Sequence, residues 1–489
     1  MNSDHRSSPA PYRFAAPDLV RALASVPVTG RDRRAARLRL ADTAFASLVG
    51  SRTSQGRRAA ALAADRYGET SLSGRVFRLV AACRMTEIDD VDLESCVTPG
   101  SIVGPAVLAV LSGQSRSGAA VPDLDTVLDV IVHGYEIALG LGEAIRGPER
   151  LATGVWPTLT IGGVTAAAVT SRLLGADNEQ LGAAVALAAE HSIAGNPRGD
   201  AREILLAEAV VTGVGCALAV RHGFAVSGGK GGALAGLLDS GMPEAAAMSR
   251  VHRPRIKEFC SARQAMTAVS AVRSILATEE LRGADVDRID VEVPAAYAAM
   301  LDKPSVGSRR DSLSSAPYQL ALAALEPAGL LDVDRRELPS SEAFRALMAA
   351  VRIHVADDLT SRYPASWPAR VWVYSGERVF EAAADEVPGE RDLTADRLAA
   401  KASALAGAAP GLPPDASGVV ERAVTATGIA DLNEITAVID GGSLSDRDRA
   451  RTPTGLGRRA ASDAPSQTSR KWDGTTAEAD HLYADMTKE

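Results

Sequence analysis

Five carboxylates crowd into the eight positions from residue 87 to residue 94: Glu87, Asp89, Asp90, Asp92 and Glu94. Carboxylates at such spacing can hold a hard cation, accept a proton, or line a solvated loop. The glycine and the terminal Glu of an EF-hand loop are missing, so calcium has no warrant here. Pro99-Gly100-Ser101 and Pro105-Ala106 follow closely. That setting makes a carboxylate at the mouth of a site the functional reading.

Other chemistries fail on spacing. Gly228-Gly229-Lys230-Gly231-Gly232 has Gly after the Lys where a phosphate loop needs Ser or Thr, and no strand precedes it. No Gly-x-Gly-x-x-Gly opens a helix after a strand. No His-Glu-x-x-His occurs, and the seven histidines are scattered, so no metal is expected. Cys83, Cys96, Cys216 and Cys260 include no Cys-x-x-Cys pair. So few thiols in a long chain read as a reduced, cytoplasmic protein. Cys260, three residues after Lys257, is either an activated nucleophile or a buried inert thiol.

The elements that must position these residues are mainly helical. A chain of 489 residues allows about three domains. Its net charge of −8 argues against a dedicated nucleic-acid binder, and 46% hydrophobic residues suffice for a large core. Aromatics are only 4%, so Ala and Gly carry the apolar share and predict closely packed helices. Residues 1–18 read as a flexible tail without the apolar region of a signal peptide. The uncharged stretches Ser95–Gln114 and Leu151–Ser171 are broken by Pro and Gly or by Thr and Pro, and read as buried elements rather than membrane spans.

Periodicity predicts helices over Leu19–Val49, Asp125–Ile145, Thr160–Leu174, Asn178–His191 and Ile204–His222, with Gly175 and Gly223 as stops. After a helix at Ala268–Leu281 the pattern changes. Ile289, Val291 and Val293 alternate with Asp290 and Glu292 as in a half-buried strand. Strands are also expected at Val351–Val355 and Arg370–Tyr374, the latter paired to Glu377–Ala383 through Ser375-Gly376. Helices are expected around Tyr318–Leu325 and Ser341–Ala350. Helix returns at Thr394–Leu405 and Ser417–Val438, and the polar stretch from 458 reads as a disordered tail. The expected division is a helical domain at 19–266, an α/β lid at 267–395 and a helical return at 396–457.

An ordered set of motifs resembles the MmgE/PrpD family, from about residue 20 to 450. Asp42-Thr43 through Gly50 is similar to its early "DT…G" helix. EIDDVDLESCVTPGSIVGPA, residues 87–106, resembles DFDDTH…HPGSVVVPA without a gap. Gly134-Tyr135-Glu136, then Trp156-Pro157-Thr158 and Gly162, resemble "GYE…HPT…G". Ile256-Lys257, Phe259-Cys260 and Arg263 resemble "IKPYPCCR", Ser314–Leu320 resembles "FSLPY", and Tyr363-Pro364 through Val373 resembles "YPARWPARVTV". The resemblance implies a large all-α domain with an inserted α/β lid. It also implies a homodimer without metal or organic cofactor, and a cavity for small polycarboxylates.

Departures fall at the family's working positions. Glu87 stands for the first Asp, Val91 for a Thr, Thr98 for the His before Pro-Gly-Ser, and Trp156 for the His of "HPT". Arg202-Glu203-Ile204-Leu205 stands for "KPLH". Two imidazoles thus become a hydroxyl and an indole. Asp89, Asp90, Lys257, Arg263 and Tyr318 remain. The resemblance implies Lys257 or Glu87 as the base and Asp90 and Tyr318 as further proton-handling groups. Arg202 and Arg263 would clamp an anion, and Trp156, Thr98 and Val91 would line the cavity. Three functions follow. One is a lyase or isomerase abstracting a proton next to a carboxylate or carbonyl. A second is a repurposed enzyme for a larger, less charged intermediate of specialised metabolism, with Val91, Trp156 and Leu205 as apolar walls. The third is a non-catalytic binding or assembly protein on the same scaffold.

Overall fold

The computed structural model describes residues 15–441 except 198, 200, 225–230, 239–247, 409–411 and 413–415. The expected terminal tails, apart from residues 15–18, most of the glycine loop at 228–232 and residues 442–457 of the expected helical return lie outside the described residues. The fold is mainly α with one small sheet.

The N-terminal run contains α1 (Ala16–Leu23), α2 (Gly30–Ser51), α3 (Ser54–Tyr67), α4 (Leu72–Met85), α5 (Gly100–Ser117) and α6 (Leu124–Ala144). It continues through α7 (Gly147–Ala152), α8 (Pro157–Leu173), α9 (Asn178–Glu190), α10 (Ala201–Arg221) and the single turn α11 (Gly232–Ala235). The one helix expected over Leu19–Val49 is two. Thr29 and Asp32 form a reciprocal capping box that starts α2 afresh. Ser95–Gln114 contains α5, which keeps Pro105 inside it; the Pro and Gly that read as interruptions sit in its first two turns, where few intrahelical N–H bonds are lost.

Small residues let these helices touch. A Cβ on Gly213 of α10 would lie 2.0 Å from the Gly163 carbonyl of α8, and one on Gly50 of α2 would lie 1.8 Å from the Ala82 carbonyl of α4. The helix α10 is long and apolar enough to cross a membrane by length and composition. Here it packs against α8, α4 and α9.

Next come α12 (Arg263–Thr278), β1 (Arg288–Val293), α13 (Ala295–Leu301), α14 (Arg309–Ser314), α15 (Ala316–Leu325), α16 (Glu342–Ala350), β2 (Val351–Val355), α17 (Asp357–Thr360), β3 (Ala369–Ser375) and β4 (Arg378–Ala384). The sheet order is β2-β1-β3-β4. β1 runs parallel to β2 and antiparallel to β3, and β3 pairs antiparallel with β4 through the Gly376 turn. Ile289, Val291 and Val293 are all fully buried, as their alternation predicts. The helix α12 packs on β3, β4 and α15.

The chain ends in α18 (Ala395–Ala408), α19 (Gly418–Thr425) and α20 (Ile429–Ile439). The helix expected over Ser417–Val438 is divided because Asp431 accepts the N–H groups of Thr427 and Gly428 and starts α20 separately. All three helices return to α2. Lys401 of α18, buried, donates to Asp42 of α2 at 2.5 Å and to the Ile88 carbonyl at 2.6 Å.

Candidate active site

A two-residue antiparallel bridge builds the site. Val91 and Arg255 exchange backbone hydrogen bonds of 3.1 and 2.7 Å. In that register residue 257 lies opposite residue 89, so the acidic segment and Lys257 are brought side by side. Lys257 Nζ donates to Glu87 Oε2 at 2.9 Å and stands 3.6 Å from Asp89 Oδ1.

Three arginines complete the cluster. Arg84, in the last turn of α4, donates to Glu87 at 2.7 Å and to Asp89 at 2.9 Å. Arg310 of α14 donates to Glu87 Oε1 at 2.8 Å and lies 3.2 Å from Glu203 Oε1. Arg202 of α10 is 3.8 Å from Glu87 Oε1, and its guanidinium stacks 3.9 Å above the buried Trp156 ring. Four cations therefore meet three carboxylates. The Arg202 and Arg310 side chains keep 15% and 17% exposure and form the open side, whereas those of Lys257 and Glu87 are at 2% and 4%.

The electrostatics separate the carboxyls. Burial raises the Glu87 pKa, but Arg84, Lys257 and Arg310 more than reverse this and hold it well below the usual range. Burial raises Asp89, only partly opposed by Arg84 and Lys257. Burial pushes Glu203 up to about 8, with the Arg84 charge opposing and the Glu87 charge adding to the rise. Glu87 also has φ of +57°, left-handed backbone that Glu seldom adopts. Four polar atoms of this cluster are buried without a hydrogen-bond partner: Arg84 Nε, Arg202 Nε, Asp89 Oδ2 and Glu203 Oε1.

Other residues expected at the site are engaged elsewhere. Asp90 accepts the Gly100 N–H at the start of α5 (2.9 Å) and the Tyr135 hydroxyl (2.8 Å), with Arg39 at 3.8 Å. Burial raises its pKa to about 6 although Arg39 opposes this. A carboxylate bound in this way anchors a helix start. Arg263 donates to Glu390 at 2.6 Å and to Thr267 at 3.0 Å, which ties α12 to the segment after β4. Tyr318 is buried edge-on against Phe344. Val91 is buried and serves through its backbone bridge. Thr98 borders Trp156 through Thr158, whose hydroxyl accepts the Thr98 N–H at 3.1 Å. Burial pushes the Cys260 thiol up to about 11, which removes the nucleophile reading. Asp92 and Glu94 pair with Arg253.

Sequence reasoning missed Arg84, Arg310 and Glu203 as site residues. Arg84 had a local signal, being three positions before Glu87 at a helix end. Glu203 directly follows Arg202. Arg310 is 223 residues from Glu87 and had none.

The mainly helical body and its small four-stranded sheet thus carry the acidic segment and the ordered motifs in one chain. The MmgE/PrpD N-terminal domain family matches residues 22–230, and the MmgE/PrpD C-terminal domain family matches residues 259–417. The chain belongs to the MmgE/PrpD family. It is 30% identical over 165 residues to the cis-aconitate decarboxylase of Aspergillus terreus, a stretch covering 34% of this chain and 30% of that relative.

Proposed function

We propose that the chain is a lyase or isomerase that takes a small carboxylate-bearing substrate and removes a proton from the carbon next to a carboxylate or carbonyl. The carrying observation is the convergence of Arg84, Lys257, Arg310 and Arg202 on the single buried carboxylate of Glu87, with the two arginines on the open side. Family membership and the partial likeness to a decarboxylase support the reaction class.

In this reading the substrate anion approaches past Arg202 and Arg310 and competes with Glu87 for their guanidinium groups. As those cations turn to the substrate, the Glu87 carboxylate loses stabilisation and becomes more basic. It takes the proton from carbon, and Lys257 and Arg84 stabilise the charge that develops on the carbonyl or carboxylate oxygens. Guanidinium suits the clamp because it stays charged and binds carboxylates in a fixed fork. A working homodimer without cofactor belongs to the same proposal.

The reading for a larger apolar ligand is less favoured. Trp156 is stacked on Arg202 rather than offered as a wall, and Val91 is held in its bridge. The test is untargeted metabolite profiling with and without the gene, joined to melting shifts with the metabolites that change. A ligand at ~100 Kd should add about 2.7 kcal/mol of stability. If no carboxylate accumulates and none stabilises the protein, the enzyme reading falls and a binding or assembly role replaces it.

A further inference from the structure

We propose that Glu203 is the general acid of this site, a position where sequence spacing offers no imidazole. The inference rests on the anion-binding reading above and adds the group that returns the proton. Glu203 sits in the first turn of α10, directly after Arg202, and is buried at 3% exposure. Its Oε1 lies 3.2 Å from Arg310 and has no hydrogen-bond partner. The unpartnered Arg84 Nε, Arg202 Nε and Asp89 Oδ2 belong to the same cluster. A buried acid beside a cation that also faces the open side is placed to act on whatever anion that cation holds.

The charged groups around it come from three parts of the chain: Arg84 from α4, Glu87 from the segment after it, and Arg309 and Arg310 from α14. Arg309 is committed to the carbonyls of Met85 and Val333. Burial and the Glu87 charge outweigh the arginines, so Glu203 stays protonated to about pH 8 while Glu87 is ionised. Two carboxyls with pKa values driven apart divide acid from base.

Glu87 takes a proton from carbon, leaving an electron pair on the substrate. The Glu203 O–H gives its proton either to that carbon, where the electron pair forms the new C–H bond, or to a hydroxyl on the neighbouring carbon, whose C–O bond breaks as the pair forms a C=C bond and water leaves. The Glu203 carboxylate that remains is paired with Arg310. Solvent returns a proton to Glu203 and removes one from Glu87 before the next turnover.

The test uses the full-length protein and malonate, which stays a dianion from about pH 7 to about pH 9.5. Malonate affinity is measured by calorimetry across that range in wild type, Glu203→Gln and Glu203→Asp. Infrared difference spectra of unliganded wild type against Glu203→Gln at pH 7 look for a protonated-carboxyl carbonyl stretch. Wild type should bind malonate with constant affinity near pH 7 and weaken by up to about tenfold per pH unit above pH 8. Glu203→Gln should bind with no such decline, and Glu203→Asp should keep a decline at a displaced pH. The carbonyl band should be present in wild type and missing in Glu203→Gln. If malonate binds with the same pH profile in wild type and Glu203→Gln, or the band is absent, the role of Glu203 is overturned while the anion site stands. If wild type binds no malonate, the anion site itself is wrong and the acid assigned to it goes with it.

Discussion

Lys257 and Glu87 lie 170 residues apart in the chain and meet in a buried hydrogen bond of 2.9 Å. The backbone bridge between Val91 and Arg255 sets this meeting, because it places residue 257 opposite residue 89. The ion pair is therefore a consequence of register, and it supplies both a structural tie and a charged centre.

Lys257→Ala should weaken the fold and also remove function. Its ammonium is not in a wet cavity but buried, so its loss leaves Glu87 with three arginines and a void. A loss of about 1–3 kcal/mol in urea melts is expected. Once a substrate is known, a rate loss of ~10²–10⁴ is expected as well. Unchanged melts and unchanged turnover would remove Lys257 from both roles.

Purified protein should not turn over citrate, 2-methylcitrate or cis-aconitate appreciably. Thr98 is locked to Thr158 and Ser101, and Trp156 to Arg202, so neither supplies a proton carrier. Turnover at the common enzyme scale of ~1–10³ per second in a direct assay contradicts this.

Trp156→His should destabilise by ~1–3 kcal/mol, since it removes buried aromatic area and the face on which Arg202 rests. The accompanying gain of an imidazole is expected to open weak activity on small polycarboxylates. Thermal melts and the same assay read both effects, and a variant as stable as wild type shows that the stack contributes nothing.

Stability should fall with rising pH through a window set by Glu203. Folded protein holds this proton up to about pH 8, whereas the ordinary carboxyl value is 4.5. Between those values the unfolded chain binds fewer protons, so rising pH favours unfolding. Glu203→Gln lacks this term. Its stability relative to wild type should therefore increase from pH 5 to pH 8 in urea melts, and a constant difference would show that Glu203 titrates normally.

Lys401→Met should cost about 3–5 kcal/mol, because it strands the buried Asp42 carboxylate and frees the Ile88 carbonyl beside Glu87. Asp42→Asn combined with Lys401→Met should recover part of that loss in the same melts. If the double variant is no better than the single, the pair is not coupled.

Much of the fold was legible without coordinates because helix and strand periods are local. The alternation at 289–293 and the apolar stripe of α6 each lie within one element, and the Gly376 turn joins two strands that are neighbours in the chain. Element ends were misjudged where a cap outweighed hydrophobic pattern, at Thr29 and Asp431. The motif order pointed to the family and placed Glu87, Lys257, Arg202 and Trp156 together, as the structure does. It could not tell that Asp90, Arg263 and Tyr318 would find partners in Tyr135, Glu390 and Phe344, since those pairings depend on how separate elements dock. The charge state of the site was equally out of reach. Glu87 and Glu203 are the same residue type, and only burial and the placing of Arg84, Arg310 and Lys257 around one of them drive the two carboxyls apart.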